Sequence, residues 1–329
     1  MAGMAAGEIG IPHSAPAVRV EAACAAGSSA LYNGFLMVAS GMKDLVLVGG
    51  VERALAMDTP TATRTFSMAS DGRYEFFSGV TFPAVFAMLT RLYAHKYGIP
   101  LKTLKERMAM VAVKNHQHGM TNERAQFRKE ITVDTVLNSF MVCDPLQLLD
   151  CCPFSDGAAA MVLAPLDVAK QYVDKPVRIA GIGMGSNGAL ITQKDFTIMQ
   201  SRLESVKAAY DMAGITADDV DVVELHDCFT IAEIVALEML GFYKPGEASE
   251  AAAQGETRLG GRLPVNPSGG LKSKGHPIGA TGVAQGFEIV NQLRGNCGER
   301  QVEGAKIGLT DTLGGDLCTT VNAVFSVVS

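Results

Sequence analysis

The chain has 329 residues, 48% of them apolar and 19% charged, with a formal charge of −6 and no tryptophan. This is ample material for a buried core and excludes a disordered chain. No run of Lys or Arg is present to neutralise a nucleic-acid backbone, although a single small acidic ligand needs only a local cluster of bases. The seven cysteines are odd in number and lack framework or CxxC spacing, so they read as reduced thiols of a cytoplasmic protein, with no metal site. No apolar run is long enough to cross a bilayer, and the N-terminus lacks the basic-then-apolar layout of a signal peptide.

Residues 1–17 are small and polar. Val18–Glu21 is predicted as a short strand, and a turn of small residues around Cys24 leads into a helix of alanines and large apolars up to about Val38. A thiol at a helix start meets the positive end of the dipole and free backbone N–H groups, which favour the thiolate. The unbroken apolar run in Lys43–Glu52 suits a parallel strand covered on both faces, giving a β-α-β opening with a right-handed crossover. From Ala54 to Asn122 the character changes, with polar and aromatic clusters and then helices over Pro83–Tyr97 and Leu101–Lys114. Lys102, Lys105, Arg107 and Lys114 of the latter fit a solvated helix face better than a phosphate site.

A turn at Cys151–Gly157 precedes a strand ending at Leu163. Strands follow at Val177–Gly183, Val220–Leu225, Lys306–Leu309 and Cys318–Val328, with helices at Leu203–Ala213, Thr230–Leu240 and Ala284–Leu293. Two stretches echo each other. The Cys24 turn, its helix, strand Leu45–Val48 and Gly49-Gly50 match strand Pro264–Pro267, the His276 glycine loop, a helix, strand Lys306–Leu309 and Gly314-Gly315. Asp156–Leu163 matches the last strand. Such a repeat implies two similar α/β halves with the site between them.

Three stretches carry chemistry. Gly275-His276-Pro277 puts an imidazole just before a glycine-rich helix start, where Pro277 has no N–H to lose. His226 and Cys228 lie at the carboxyl end of a strand, where open α/β sheets place ligands. Each of them, like Cys24, reads equally well alone as buried structure. Together, cysteines with a histidine base make the arrangement for covalent acyl transfer.

Glu21-Ala-Ala-Cys24-Ala-Ala-Gly-Ser, His226-Asp-Cys228-Phe and Gly275-His276-Pro277-Ile-Gly resemble the three active-site blocks of the thiolase family, in the form of the sterol-carrier-protein-2 type and its archaeal and bacterial acetyl-CoA acetyltransferase relatives. The resemblance runs from about Ala5 to the C-terminus. It implies a duplicated five-layer α-β-α-β-α fold, with residues 1–53 and 123–168 as one half, 54–122 as an inserted loop domain and 169–329 as the other half. It implies CoA-dependent cleavage of a 3-oxoacyl-CoA, or the reverse Claisen condensation, through an acyl thioester on Cys24. His276 would activate Cys24 and, with His226, hold the thioester oxygen of the enolate. The N–H groups of Cys24 and Gly314 would form a second oxyanion hole, for the tetrahedral intermediate. Thr312 stands where many thiolases carry an acid/base cysteine, so that role passes to Cys228. Cys318 is expected to pack on a strand.

The resemblance also implies coenzyme A as co-substrate with no permanently bound cofactor, an acyl-CoA substrate, a homodimer or homotetramer, and a zinc-ribbon/OB-fold acyl-CoA-associated partner protein. Thiolases carry a strand-helix-strand region of roughly sixty residues before the nucleophile strand, so open sheet edges are expected in the first half here. The alternatives are another condensing enzyme of the ketoacyl synthase kind and a catalytically silent scaffold subunit.

Overall fold

A computed structural model describes residues 2–195 and 197–328 of the chain. A turn of 3-10 helix at Ala23–Ala25 leads into helix α1 (Ala26–Ala39), followed by strand β1 (Val46–Arg53). β1 pairs antiparallel with β2 (Asp156–Leu163), from Val46 opposite Leu163 to Arg53 opposite Asp156. Burial alternates along both strands, with Val48 and Leu163 facing inward and Leu47, Val51 and Val162 open to solvent. The expected parallel, doubly covered strand is therefore an antiparallel one with a single buried face. Val18–Glu21 forms no strand: among the described residues no backbone pairs with it, and Val18 is exposed. An extended segment without a neighbour to take its N–H and C=O groups gains nothing over coil.

Between β1 and β2 the chain is mainly helical. Helices α2 (Phe82–Lys96) and α3 (Leu101–Gly119) bury Val85, Phe86, Leu89, Tyr93, Leu104, Met108 and Val111 in one apolar cluster with Ile231, Ile234 and Val235. The bases of α3 are not all a solvated face. Lys105 pairs with Asp150 and Lys114 with Glu233, and all four side chains are buried or nearly so. Removing one member of such a pair strands a buried charge and typically costs about 3–5 kcal/mol.

The second half supplies a four-stranded mixed sheet of β3 (Val177–Ser186), β4 (Val222–Glu224), β5 (Ile307–Gly314) and β6 (Thr319–Val327), in the order β3-β6-β5-β4. β4 and β5 run parallel, and the other pairings are antiparallel. Helix α4 (Gln200–Ala213) packs on β3 and β6, while helix α5 (Thr230–Met239) follows β4 and packs against α3. Helix α6 (Thr281–Arg294) lies with α1 between the two sheets. Leu31, Val48, Leu163, Ile182, Val222, Val283, Ile289, Val321 and Phe325 fill that space. Pro264–Pro267 makes only an isolated bridge, Val265 to Val223, and not a strand.

The echo read from sequence corresponds to matching elements. α1 and α6 each have 14 residues, and β1 and β5 each have 8. Each helix precedes its strand, and each strand has an antiparallel partner, β2 or β6. The two helices meet at their N-termini through glycine. A Cβ on Gly282 would sit 2.4 Å from the Ser28 nitrogen, and one on Gly27 would sit 3.0 Å from the Gly279 oxygen. β1 closes on the same loop, because a Cβ on Gly50 would lie 2.2 Å from the Gly279 oxygen, whereas one on Gly49 would meet nothing nearer than 3.7 Å.

This pair of adjacent glycines makes a matched test. Gly50→Ala is expected to lower the free energy of unfolding by about 1–3 kcal/mol through overpacking against rigid backbone, and Gly49→Ala to change it by less than about 0.5 kcal/mol. Urea unfolding of both variants measures the difference.

Candidate active site

Cys24 sits on the 3-10 turn before α1. The residue before it, Ala23, has φ +48, a left-handed conformation that costs an L-residue roughly 1–2 kcal/mol. Two hydrogen bonds hold the turn, Ala23 N–H to Glu21 Oε1 at 2.8 Å and Ala25 N–H to the Ala22 carbonyl at 3.0 Å. The last residue of β5 presses against it: a Cβ on Gly314 would lie 2.3 Å from the Ala22 oxygen and 2.8 Å from the Ala25 nitrogen. The structure thus brings the Gly314 backbone to the Cys24 turn, across 290 positions of sequence.

His276 comes from the loop before α6. Its N–H donates to Ser155 Oγ at 2.9 Å. The Thr281 hydroxyl donates to the Pro277 carbonyl at 3.1 Å, so it accepts from His276 Nδ1–H, 2.7 Å away. This assigns the tautomer and leaves Nε2 with a free lone pair. Nε2 is buried and has no partner. His226, just past β4, is 1% exposed and its Nδ1 is likewise buried and unpartnered. The two imidazoles stand edge to face with ring centroids 5.0 Å apart. A donor atom from each of Cys24, His226 and His276 lies within 4.8 Å of the others. Spacing rules for metal-ligating residues could not reveal this trio, because its members come from three distant segments.

The HDCF and glycine-loop blocks are clamped to each other. The Asp227 carboxylate accepts from Leu271 N–H at 2.7 Å and from Asn115 Nδ2 at 2.8 Å. In return Lys272 Nζ donates to the carbonyls of Cys228, at 3.0 Å, and Asp150. Lys272 is 2% exposed. Cys152 N–H also donates to the Cys228 carbonyl, at 2.9 Å.

Burial dominates the electrostatics. It pushes the Cys24 thiol up to about 12, with the neighbouring Cys152 adding to the effect and the local backbone N–H opposing it too weakly. The expectation that the helix start favours a resting thiolate is thereby overturned. Cys228 is raised well above an ordinary thiol by burial, then by Cys152 and Cys24. Burial, followed by the ammonium groups of Lys274 and Lys272, drives His276 down to about 3. His226 is held well below its usual range by burial and then by His276. The resting site therefore holds neutral thiols and free-base imidazoles.

Cys152 is the site residue that sequence reasoning missed. Burial raises its thiol to about 12, and it is an electrostatic neighbour of both Cys24 and Cys228. The internal echo carried the signal, since Cys152 precedes β2 much as Gly315 precedes β6. Thr312 is buried and its hydroxyl donates to Gln285 Oε1 at 2.6 Å, which is a structural duty. Cys318 lies in the turn before β6 rather than on a strand, and its thiol faces the carbonyls of Asp316 and Gly188. Two surface clefts of about 660 Å³ lie elsewhere, one beside Lys170, Val177 and Leu293, the other beside Tyr243 and Arg262, and neither is lined by a cysteine or histidine.

A pH profile checks this electrostatic picture. His276 is lowered, so its base form is present at all pH values well above about 3, and protonation does not remove the base as pH falls through the ordinary imidazole range near 6.5. The rate at which an acyl-CoA acylates the enzyme is expected to change less than about threefold between roughly pH 5 and 8. An acid limb near 6.5 would show an imidazole titrating at its usual value.

The Thiolase N-terminal domain model matches residues 1–167, and the thiolase C-terminal domain-like model matches residues 183–327. An acetyl-CoA acetyltransferase of Methanothermobacter thermautotrophicus is 48% identical over 312 residues, covering 94% of this chain and 80% of that protein. Sterol carrier protein 2 of Oryctolagus cuniculus is 36% identical over 315 residues, covering 91% of this chain and 56% of that protein. Among solved structures, one titled Ltp2-ChsH2(DUF35) aldolase superposes with a TM-score of 0.80 at 26% identity, covering 93% of this chain and 78% of that one. Two family models that together span nearly the whole chain, and close similarity to an acetyl-CoA acetyltransferase, agree with the paired halves and the three motif blocks, and the chain belongs to the thiolase family.

Proposed function

We propose that this chain is a thiolase-type acyltransferase that cleaves a 3-oxoacyl-CoA with coenzyme A, or runs the reverse Claisen condensation, through a thioester on Cys24. The observation that carries the reading is the position of His276, whose Nδ1–H is committed to Thr281 and whose unpartnered Nε2 belongs to the same cluster as Cys24. In the cleavage direction His276 Nε2 takes the Cys24 proton as the sulfur attacks the 3-oxo carbon. The N–H groups of Cys24 and Gly314 hold the resulting oxyanion. Collapse breaks the Cα–Cβ bond, leaves the acyl group on Cys24 and forms an acetyl-CoA enolate, whose oxygen is held by His276 and His226. Cys228 protonates the α-carbon. A coenzyme A thiol then attacks the acyl-Cys24 carbonyl, its proton passing to the Cys228 thiolate, and acyl-CoA leaves as His276 returns its proton to the Cys24 sulfur. Charge developing in a buried site and met by fixed donors commonly accounts for several kcal/mol of transition-state stabilisation. At rest His276 is the free base that proton removal needs, and the burial that keeps it so also makes it a weaker base and Cys24 a weaker acid, so the transfer depends on the oxyanion donors.

We read residues 54–122 as an inserted unit whose helices roof the site, between a half of residues 1–53 and 123–168 and a half of residues 169–329. A homo-oligomer is supported by the apolar outer face of β1 and β2. A second chain of the zinc-ribbon/OB-fold kind is supported by the two-component title of the similar solved structure. The compartment proposed is the cytoplasm; no helix among the described residues is long and apolar enough to cross a membrane. Acyl-carrier-protein and CoA thioesters, offered side by side, separate a ketoacyl synthase from a thiolase.

Intact-protein and peptide mass spectrometry after incubation with acetyl-CoA and longer acyl-CoA thioesters tests the nucleophile. The expected result is one acyl group on Cys24, absent in Cys24→Ala. A folded chain that stays unacylated would favour a silent scaffold subunit.

A further inference from the structure

The Cys24, His226 and His276 cluster, which the proposed acyl transfer uses, is also a set of metal-ligating atoms. Its three donor atoms lie within 4.8 Å of one another and come from three separate segments. A tetrahedral zinc ion, with Zn–S near 2.3 Å and Zn–N near 2.0–2.1 Å, sets its ligands about 3.5 Å apart. Contraction by roughly 1 Å therefore closes a sulfur-and-two-nitrogen ligand set around such an ion. Each imidazole has a buried ring nitrogen with no hydrogen-bond partner. His226 makes no hydrogen bond among the described residues through either ring nitrogen, and its Nδ1 is buried. His276 is 5% exposed and is oriented from behind by Thr281, whose hydroxyl accepts Nδ1–H. An acceptor fixed behind the ring is how proteins usually aim a metal-ligating histidine. Three protein ligands and one open position match the coordination of a labile zinc site rather than a closed structural one.

We propose that this cluster is a reversible binding site for a soft divalent cation of the zinc kind, held by Cys24 Sγ and one imidazole nitrogen each of His226 and His276, with water in the fourth position. On binding, the Cys24 S–H bond breaks, the sulfur–metal bond forms and the proton leaves to solvent, with no change of oxidation state. Hard cations such as Mg²⁺ and Ca²⁺, which prefer oxygen ligands, are not held. The ion takes the electron pair that attacks substrate, so metal and acyl group exclude each other on Cys24. That last consequence rests on the proposed function; the binding itself does not.

The test uses the full chain with Zn²⁺ alone and Co²⁺ alone as probes. Calorimetry with Zn²⁺ is expected to show one Cys24-dependent site that releases a proton, and Co²⁺ to give a near-ultraviolet sulfur-to-metal band. Both should be lost in Cys24→Ala. In His226→Ala the affinity should fall by about tenfold or more. Wild-type chain blocked at Cys24 by prior acylation or alkylation should also lose the site, which covers the case in which a variant misfolds. Zinc binding of equal affinity in wild type, Cys24→Ala and the blocked chain would overturn the proposal, as would no Cys24-dependent binding at up to about millimolar Zn²⁺. Acylation by acyl-CoA is measured separately on the same preparation. A chain that acylates without binding zinc refutes only the metal site, and one that binds zinc without acylating refutes only the acyltransferase reading.

Discussion

Two 14-residue helices begin against each other between the two sheets, and at Gly282 hydrogen is the only side chain that fits where they touch. Gly27 lies under the Gly279 carbonyl and Gly282 lies against the Ser28 nitrogen. Cys24 stands just before the first helix and His276 just before the second, so this contact decides whether the two groups meet. Everything nearby reinforces it. Gly50 lets β1 close on the 279 loop, Glu52 Oε2 accepts from Gly279 N–H at 3.1 Å, and Gly314 of the opposite sheet presses on the Cys24 turn. Packed backbone is hard to compress, so the turns that carry Cys24 and His276 are as rigid as the core itself.

The same closeness sets the chemistry. A thiol and two imidazoles with little access to water cannot rest as charged species. Burial outweighs the favourable local N–H at Cys24, and two ammonium groups, Lys272 and Lys274, add to the penalty on imidazolium at His276. Lys272 has a second duty, since its hydrogen bonds to two carbonyls tie the HDCF turn to the segment that carries Cys152. One buried base thus fixes geometry and biases protonation together.

The legible part of the site was the local part. The three motif blocks name Cys24, His226, Cys228 and His276 because each lies where a glycine or small-residue turn meets an element end, a pattern written within a few neighbouring residues. The paired halves were legible for the same reason, as repeated order along the chain. What depends on distant partners was not. Lys105 and Lys114 look like a solvated face until Asp150 and Glu233 arrive from 45 and 119 residues away. The Cys24 thiolate was misjudged because a helix start is a local feature and burial is not. Val18–Glu21 has the composition of a strand but no neighbour to pair with. Cys152 has no motif of its own and joins the site only through the turn before β2.

We propose a division of labour between two thiols, in which Cys24 carries the acyl group and Cys228 moves the proton at the α-carbon. The most direct measurement is solvent deuterium exchange into the methyl group of acetyl-CoA, followed by NMR or mass spectrometry, in wild type and in Cys228→Ala, with acylation of Cys24 scored in the same samples. Exchange that falls by on the order of a hundredfold or more in Cys228→Ala, while Cys24 is still acylated, is the predicted result. Exchange retained at the wild-type rate in Cys228→Ala would contradict the account and move the proton transfer to another group.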